Sequence, residues 1–189
     1  MKTKLSIFIL LLGLTMTGTS YAQNFWEQVY MQLNHLRFAA TSDGTIYGTT
    51  NETFLLQSTD NGNVGSWNLV SGFPVENAYS VFTHQNTVFM LNYDWDYDGL
   101  GIYASTDGGD TWDTRNTGLG SDLNIASMFE LSNNVLVVIT NPSSGVYNCY
   151  RSTDGGNTWV FIQDLENMCY QSVVLSNGDT YLAASSALF

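Results

Sequence analysis

The chain has 189 residues, 44% of them hydrophobic and 14% aromatic, and a formal net charge of −12 from 5 Lys+Arg against 17 Asp+Glu. That balance excludes a basic surface built to release counterions from nucleic acid or to dock on anionic lipid. The apolar fraction excludes a disordered acidic chain, and two cysteines are too few for a disulfide-built scaffold or a Cys-rich zinc site.

Met1-Lys2-Thr3-Lys4 is a short basic start, followed by an apolar run from Leu5 to Leu14 and a small-residue stretch ending Ser20-Tyr21-Ala22. This is the layout of a secretory signal peptide over residues 1–22. The apolar run falls well short of the ~20 residues that span a bilayer. The expected product, residues 23–189, is secreted, periplasmic or held at the cell surface. It keeps three arginines, Arg37, Arg115 and Arg151, and no lysine. No later apolar run is long enough to span, so no membrane partner is expected after cleavage.

Phe25-Trp26-Glu27-Gln28-Val29 matches a later segment, Ser66-Trp67-Asn68-Leu69-Val70, and so reads as the last strand of a unit whose earlier strands are missing. The first full signal follows at Ser58-Thr59-Asp60-Asn61-Gly62, leading into Trp67. It recurs as Ser105-Thr106-Asp107-Gly108-Gly109 with Trp112, and as Ser152-Thr153-Asp154-Gly155-Gly156 with Trp159. The serines are 47 and again 47 residues apart. A fixed period of this length marks a repeat architecture.

Between these turns the hydrophobic period is two. Residues 79–83, 87–91, 135–140, 170–175 and 180–184 are β-branched or aromatic runs. They are bounded by Ser42-Asp43-Gly44, His84-Gln85-Asn86, Ser132-Asn133-Asn134 and Ser176-Asn177-Gly178, all turn-forming combinations. No helical period is found beyond residue 22. Each repeat reads as four short strands, with the Ser-Thr-Asp turn joining the third to the fourth. The Asp side chain can accept from backbone N–H groups further along, the glycines tolerate positive φ, and the tryptophan can cover the turn. Such a unit cannot bury both of its own faces, so it stacks.

With Ser-x-Asp-x-Gly-x-Thr-Trp matched from Ser105 to Trp112 and from Ser152 to Trp159, the chain resembles the BNR/Asp-box repeat proteins. The resemblance implies an all-β fold, a β-propeller of four-stranded antiparallel blades with about three complete blades and a partial or shared fourth. It also implies a structural role at the blade periphery for Ser58, Asp60, Gly62, Trp67, Ser105, Asp107, Gly109, Trp112, Ser152, Asp154, Gly156 and Trp159. The C-terminal residues look like second and third strands that stop before a further box. Either the last third strand pairs with the Trp26 strand and closes a ring, or residues 23–189 are an incomplete piece of a longer propeller. Propellers have about 4–8 blades, and the closing box is missing, which favours the piece. Further blades of the same chain would then be its partners.

The most distinctive chemistry is Asp94-Trp95-Asp96-Tyr97-Asp98-Gly99. Three carboxylates in five residues at a turn suit calcium, which makes Asp94, Asp96 and Asp98 candidate ligands and Ca²⁺ the one candidate cofactor. Position twelve of that loop is Ser105, not the Glu of an EF-hand. Trp95 and Tyr97, with Tyr93 nearby, could instead stack on a sugar ring. The resemblance brings sialidase to mind, but three scattered arginines do not supply its substrate-gripping triad, and Leu36-Arg37-Phe38-Ala39 does not match its first arginine motif. No acid pair for glycoside hydrolysis can be chosen among 17 carboxylates. His35 and His84 read as turn or surface residues. Cys149 and Cys169 lie in predicted strands of neighbouring repeats and form either a disulfide or two buried thiols. The expected function is binding or scaffolding of an extracellular glycan or protein, without catalysis. The alternative is a fragment of a secreted glycoside hydrolase whose catalytic residues lie mostly elsewhere.

Overall fold

The computed structural model describes residues 37–49, 54–63, 65–73, 79–93, 99–174 and 180–184. Residues 1–36, the Asp94–Asp98 stretch and Ser176-Asn177-Gly178 lie outside them, so the expected leader, Trp26 and His35 are not described. The described residues form three four-stranded antiparallel sheets and one two-stranded hairpin.

In the first sheet, β1 (Arg37–Ala40), β2 (Ile46–Thr49), β3 (Leu55–Ser58) and β4 (Trp67–Leu69) lie side by side in chain order. The second repeats this with β5 (Ser80–His84), β6 (Thr87–Leu91), β7 (Ile102–Ser105) and β8 (Asp113–Thr114). The third is β9 (Ile125–Glu130), β10 (Leu136–Ser143), β11 (Val146–Ser152) and β12 (Val160–Leu165). The hairpin of β13 (Cys169–Val174) and β14 (Thr180–Ala184) follows. Every Ser-Thr-Asp turn joins a third strand to a fourth, as the repeat spacing requires. The strands expected at 87–91 and 180–184 coincide with β6 and β14, while β10 runs three residues past 140. Helix is confined, among the described residues, to a 3-10 turn at Ser132–Asn134.

The hydrophobic cores lie between sheets, not within them. Because strand side chains alternate, β6 sends Val88 and Met90 towards the first sheet and Phe89 and Leu91 towards the third. The first core joins Tyr47, Leu55 and Val70 to Val81, Val88 and Met90. The second joins Phe89, Ile102 and Ala104 to Ile125, Leu136, Val138 and Trp159. The third sets Val137, Ile139 and Cys149 beside Cys169 of the hairpin. All-apolar runs such as residues 88–91 follow from this, since both faces of the strand are covered.

The first strands of successive repeats adjoin, and hydrogen bonds tie them. Thr83 Oγ1 donates to the Ala40 carbonyl at 2.7 Å, and Ser127 Oγ donates to the Cys169 carbonyl at 2.6 Å. His84 Nδ1 lies 2.9 Å from Glu130 Oε2, bridging β5 to β9. His84 is buried, which corrects the turn or surface role expected for it. It closes strand β5 where Glu130 closes β9, one repeat later.

Candidate functional site

The Ser-Thr-Asp turns come first, because their carboxylates are the most regular acidic groups in the chain. Ser105 Oγ donates to Asp107 Oδ1 at 2.7 Å and accepts from the Gly109 N–H at 2.8 Å. Asp107 then accepts from the Thr111 N–H at 2.9 Å and from Thr111 Oγ1 at 2.5 Å. The third turn repeats the pattern, with Ser152 on Asp154 at 2.7 Å and Thr158 Oγ1 on Asp154 at 2.6 Å. In the first turn, which carries two extra residues, the Ser58 hydroxyl meets Ser66 Oγ at 2.6 Å while still accepting from the Gly62 N–H at 3.1 Å.

Trp67 and Trp112 each donate Nε1 to a carbonyl of their own turn, Gly62 at 3.2 Å and Gly109 at 3.0 Å. Trp159 reaches instead to the Arg115 carbonyl of the preceding repeat, at 2.8 Å. Thr111 and Thr158, donating to the exposed Asp107 and Asp154, hold both carboxyls down at about 2. These oxygens are engaged in holding turns closed and are poor general acids.

A prediction follows from that depression. The unfolded chain binds these two protons near pH 4, well before the folded protein does. Their stabilisation is therefore complete above that value and fades as pH falls towards about 2. Melting temperature should hold down to about pH 4 and then decline. The decline should be shallower in the Asp107→Asn, Asp154→Asn double variant, and parallel curves for the two proteins would contradict the assignment.

A different arrangement is found where the first strands meet. Arg37 on β1 places its guanidinium over the Tyr79 ring, 5.8 Å from the centroid, and Tyr79 packs against Tyr93 in a tilted pair with centroids 5.0 Å apart. Tyr93 Oη reaches towards Asn141 Oδ1 at 3.4 Å. Beneath the Arg37–Tyr79 rim is a pocket of about 80 Å³, lined by Ser80, Phe82, Ser127 and Met168 among others. Its described lining has one charged group, Arg37, and no carboxylate. Residues from β1, β5 and β9, with Met168 just before β13, thus converge from four successive repeats.

Arg37 was not singled out from the sequence, since nothing in Leu36-Arg37-Phe38-Ala39 marks it; only its place at the start of a first strand does so. Arg115 and Arg151 lie far along their repeats, beside the Ser-Thr-Asp turns, and Arg115 bonds Asn157. The three arginines do not meet in one pocket.

Asp94, Trp95, Asp96, Tyr97 and Asp98 lie outside the described residues, in the connection between the end of β6 at Leu91 and the start of β7 at Ile102. Among the described residues no three His, Cys, Asp or Glu side chains are grouped to hold a metal ion. Cys149 and Cys169 share the third core as buried free thiols. Burial pushes Cys149 up to about 11, with the neighbouring Cys169 adding to the shift, and burial also raises Cys169.

The chain is similar in fold to several solved structures at low sequence identity. A structure of YCF48 bound to D1 peptide is 15% identical with a TM-score of 0.53, over 85% of this chain and 52% of that one. A protein of unknown function from Dyadobacter fermentans is 16% identical with a TM-score of 0.55, over 79% and 56%. A GH74 enzyme of Niastella koreensis is 16% identical with a TM-score of 0.55, over 77% of this chain and 21% of that one. The chain thus spans about half the length of the first two and a fifth of the third. No curated protein sequence matches it. Residues 36–172 match the DUF6242 β-propeller domain, from the first strand to the hairpin, and with its four-stranded sheets stacked in chain order the chain belongs to that β-propeller family.

Proposed function

We propose that the chain is an exported β-propeller module, built of Asp-box blades, that binds an extracellular protein segment. The pocket where four repeats meet carries this reading: Arg37, Tyr79, Ser80, Ser127 and Met168 gather on or just before first strands, on an otherwise acidic protein. A pocket of about 80 Å³ is far below the ~300–1,000 Å³ that encloses a small-molecule ligand, so it suits the protruding part of a larger one. The fold neighbour YCF48 holds a peptide, which supports a protein over a glycan as the partner. The Asp-box reading is supported by Asp107 and Asp154, whose carboxylates bond the serine and threonine of their own turns. Glycoside hydrolysis uses two carboxylates about 5–9 Å apart, and the described lining offers none.

The test is capture of peptides from a displayed random library by the full chain, beside a glycan array. Peptides should be retained, and Tyr79→Ala should weaken the retained ones about fivefold or more, since contact with a half-buried ring that also seats Arg37 supplies roughly 1 kcal/mol or more. Retention of glycans alone, or peptides indifferent to Tyr79→Ala, would overturn the reading.

A further inference from the structure

We infer that the ligand of this pocket presents a carboxylate to Arg37 and carries basic residues on either side of it. The inference rests on the binding reading above and specifies its chemistry. The Arg37 guanidinium, with its Cζ 5.8 Å from the Tyr79 ring centroid, carries its N–H donors along the edge of a planar fork. That edge fits the two oxygens of one carboxylate with parallel hydrogen bonds. Arg37 is exposed, so its edge is reachable from solvent. The described lining holds no acid to compensate it.

Of the two serine hydroxyls beneath, Ser80 is the one that can serve a carboxylate. Ser127 Oγ gives its proton to the Cys169 carbonyl and so offers a lone pair, whereas the Ser80 hydroxyl can donate to a second carboxylate oxygen. Phe82 and Met168 supply an apolar wall for the methylene that carries the carboxylate.

Charge beyond the pocket sets the flanks. With 17 acids against 5 basic residues, the field of the whole chain repels a uniformly acidic ligand and attracts a basic one. An isolated carboxylate between lysines or arginines satisfies both the local cation and the surrounding field. The two sources of such a carboxylate are an Asp or Glu side chain and a free chain terminus.

The experiment uses two displayed libraries, one with internal random segments and one with free C-termini, panned on the full chain. Enriched peptides should carry Asp, Glu or a free C-terminus next to Lys or Arg, and the library that enriches identifies the source. Synthetic versions are then paired with their Gln, Asn or C-terminal amide counterparts and titrated against the chain and its Arg37→Gln variant. The acidic peptide should lose at least about tenfold in affinity on Arg37→Gln, and the neutral counterpart should lose little. Arg37→Lys, which keeps charge without the fork, should recover only part. Raising salt should weaken binding through the basic flanks.

Enriched peptides lacking a carboxylate, or an equal loss for both members of a pair on Arg37→Gln, would overturn the inference while leaving peptide binding intact. Failure of both libraries to enrich would overturn the binding reading and this inference together.

Discussion

Gly118→Ala should destabilise the protein by about 3 kcal/mol or more, through backbone strain together with a contact that cannot relax. Gly118 has φ +97°, and a Cβ placed there would lie 1.9 Å from the Trp159 carbonyl oxygen. That oxygen belongs to the neighbouring repeat, whose Trp159 N–H already bonds the Thr117 carbonyl at 2.9 Å. Opening room for the methyl group would pull the third turn off its seat, along with the Trp159 indole bonded to Arg115. Gly120 is the built-in control. It also has positive φ, at +63°, but nothing lies within 4 Å of its Cβ position. Gly120→Ala should therefore show the strain alone, about 1 kcal/mol. Thermal melts of the two variants should differ by at least several degrees, at roughly 2–4 °C per kcal/mol for a chain of this size. Equal melting temperatures would mean that the connector does not hold the next turn.

Phe89→Ala should cost about 3–5 kcal/mol, the range for a large aromatic removed from a closed core. Phe89 is fully buried on β6, with the Phe82 ring at 6.2 Å. Its Cε1 comes within 2.9 Å of where a Cβ on Gly156 would be, so the ring fills the hollow beneath the third Ser-Thr-Asp turn. The cavity would open between two sheets, where neither alone can close it. Urea unfolding should give a lower midpoint with an unchanged slope. The same geometry predicts coupling: Gly156→Ala collides with the ring in the native protein, and part of that collision should vanish once Phe89 is alanine. A loss below about 1 kcal/mol for Phe89→Ala, or strict additivity in the double variant, would place the packing elsewhere.

Much of the architecture is legible in the chain because the Ser-Thr-Asp turns at Ser58, Ser105 and Ser152 recur at one period and period-two runs lie between them. The turn chemistry at Asp107 and Asp154 is local, closed between Ser105 and Thr111 and between Ser152 and Thr158, and local chemistry can be read from spacing. Contacts between repeats are a different matter. Gly72 and Gly118 look like ordinary loop glycines in Ser-Gly-Phe and Thr-Gly-Leu, yet each abuts backbone of the following turn. His84 shows no acidic neighbour within its own strand, because Glu130 is one repeat away and comes alongside only when the sheets stack. A signal was available: a polar strand end has its counterpart one period further on. Arg37 is missed for the same reason, since the pocket beside it is assembled from four repeats that meet only in the fold. Strand ends shift where side-chain preference competes with register, as at β10, which passes through Pro142 to Ser143 with an irregularity after Thr140.

The sheets resemble one another in backbone, but the interfaces between them do not share residues. Val70 sits against Gly109 at the first interface and Phe89 against Gly156 at the second, while the third brings Cys149 and Cys169 together. Each seam therefore has its own lock. A sheet presented in the wrong order, or borrowed from another copy, would bring the wrong side chain to each hollow, leaving a void in one and a collision in the other. Repetition makes misassembly a standing hazard for such chains. Here the variation that blurs the repeat in the sequence is what tells each sheet its neighbour.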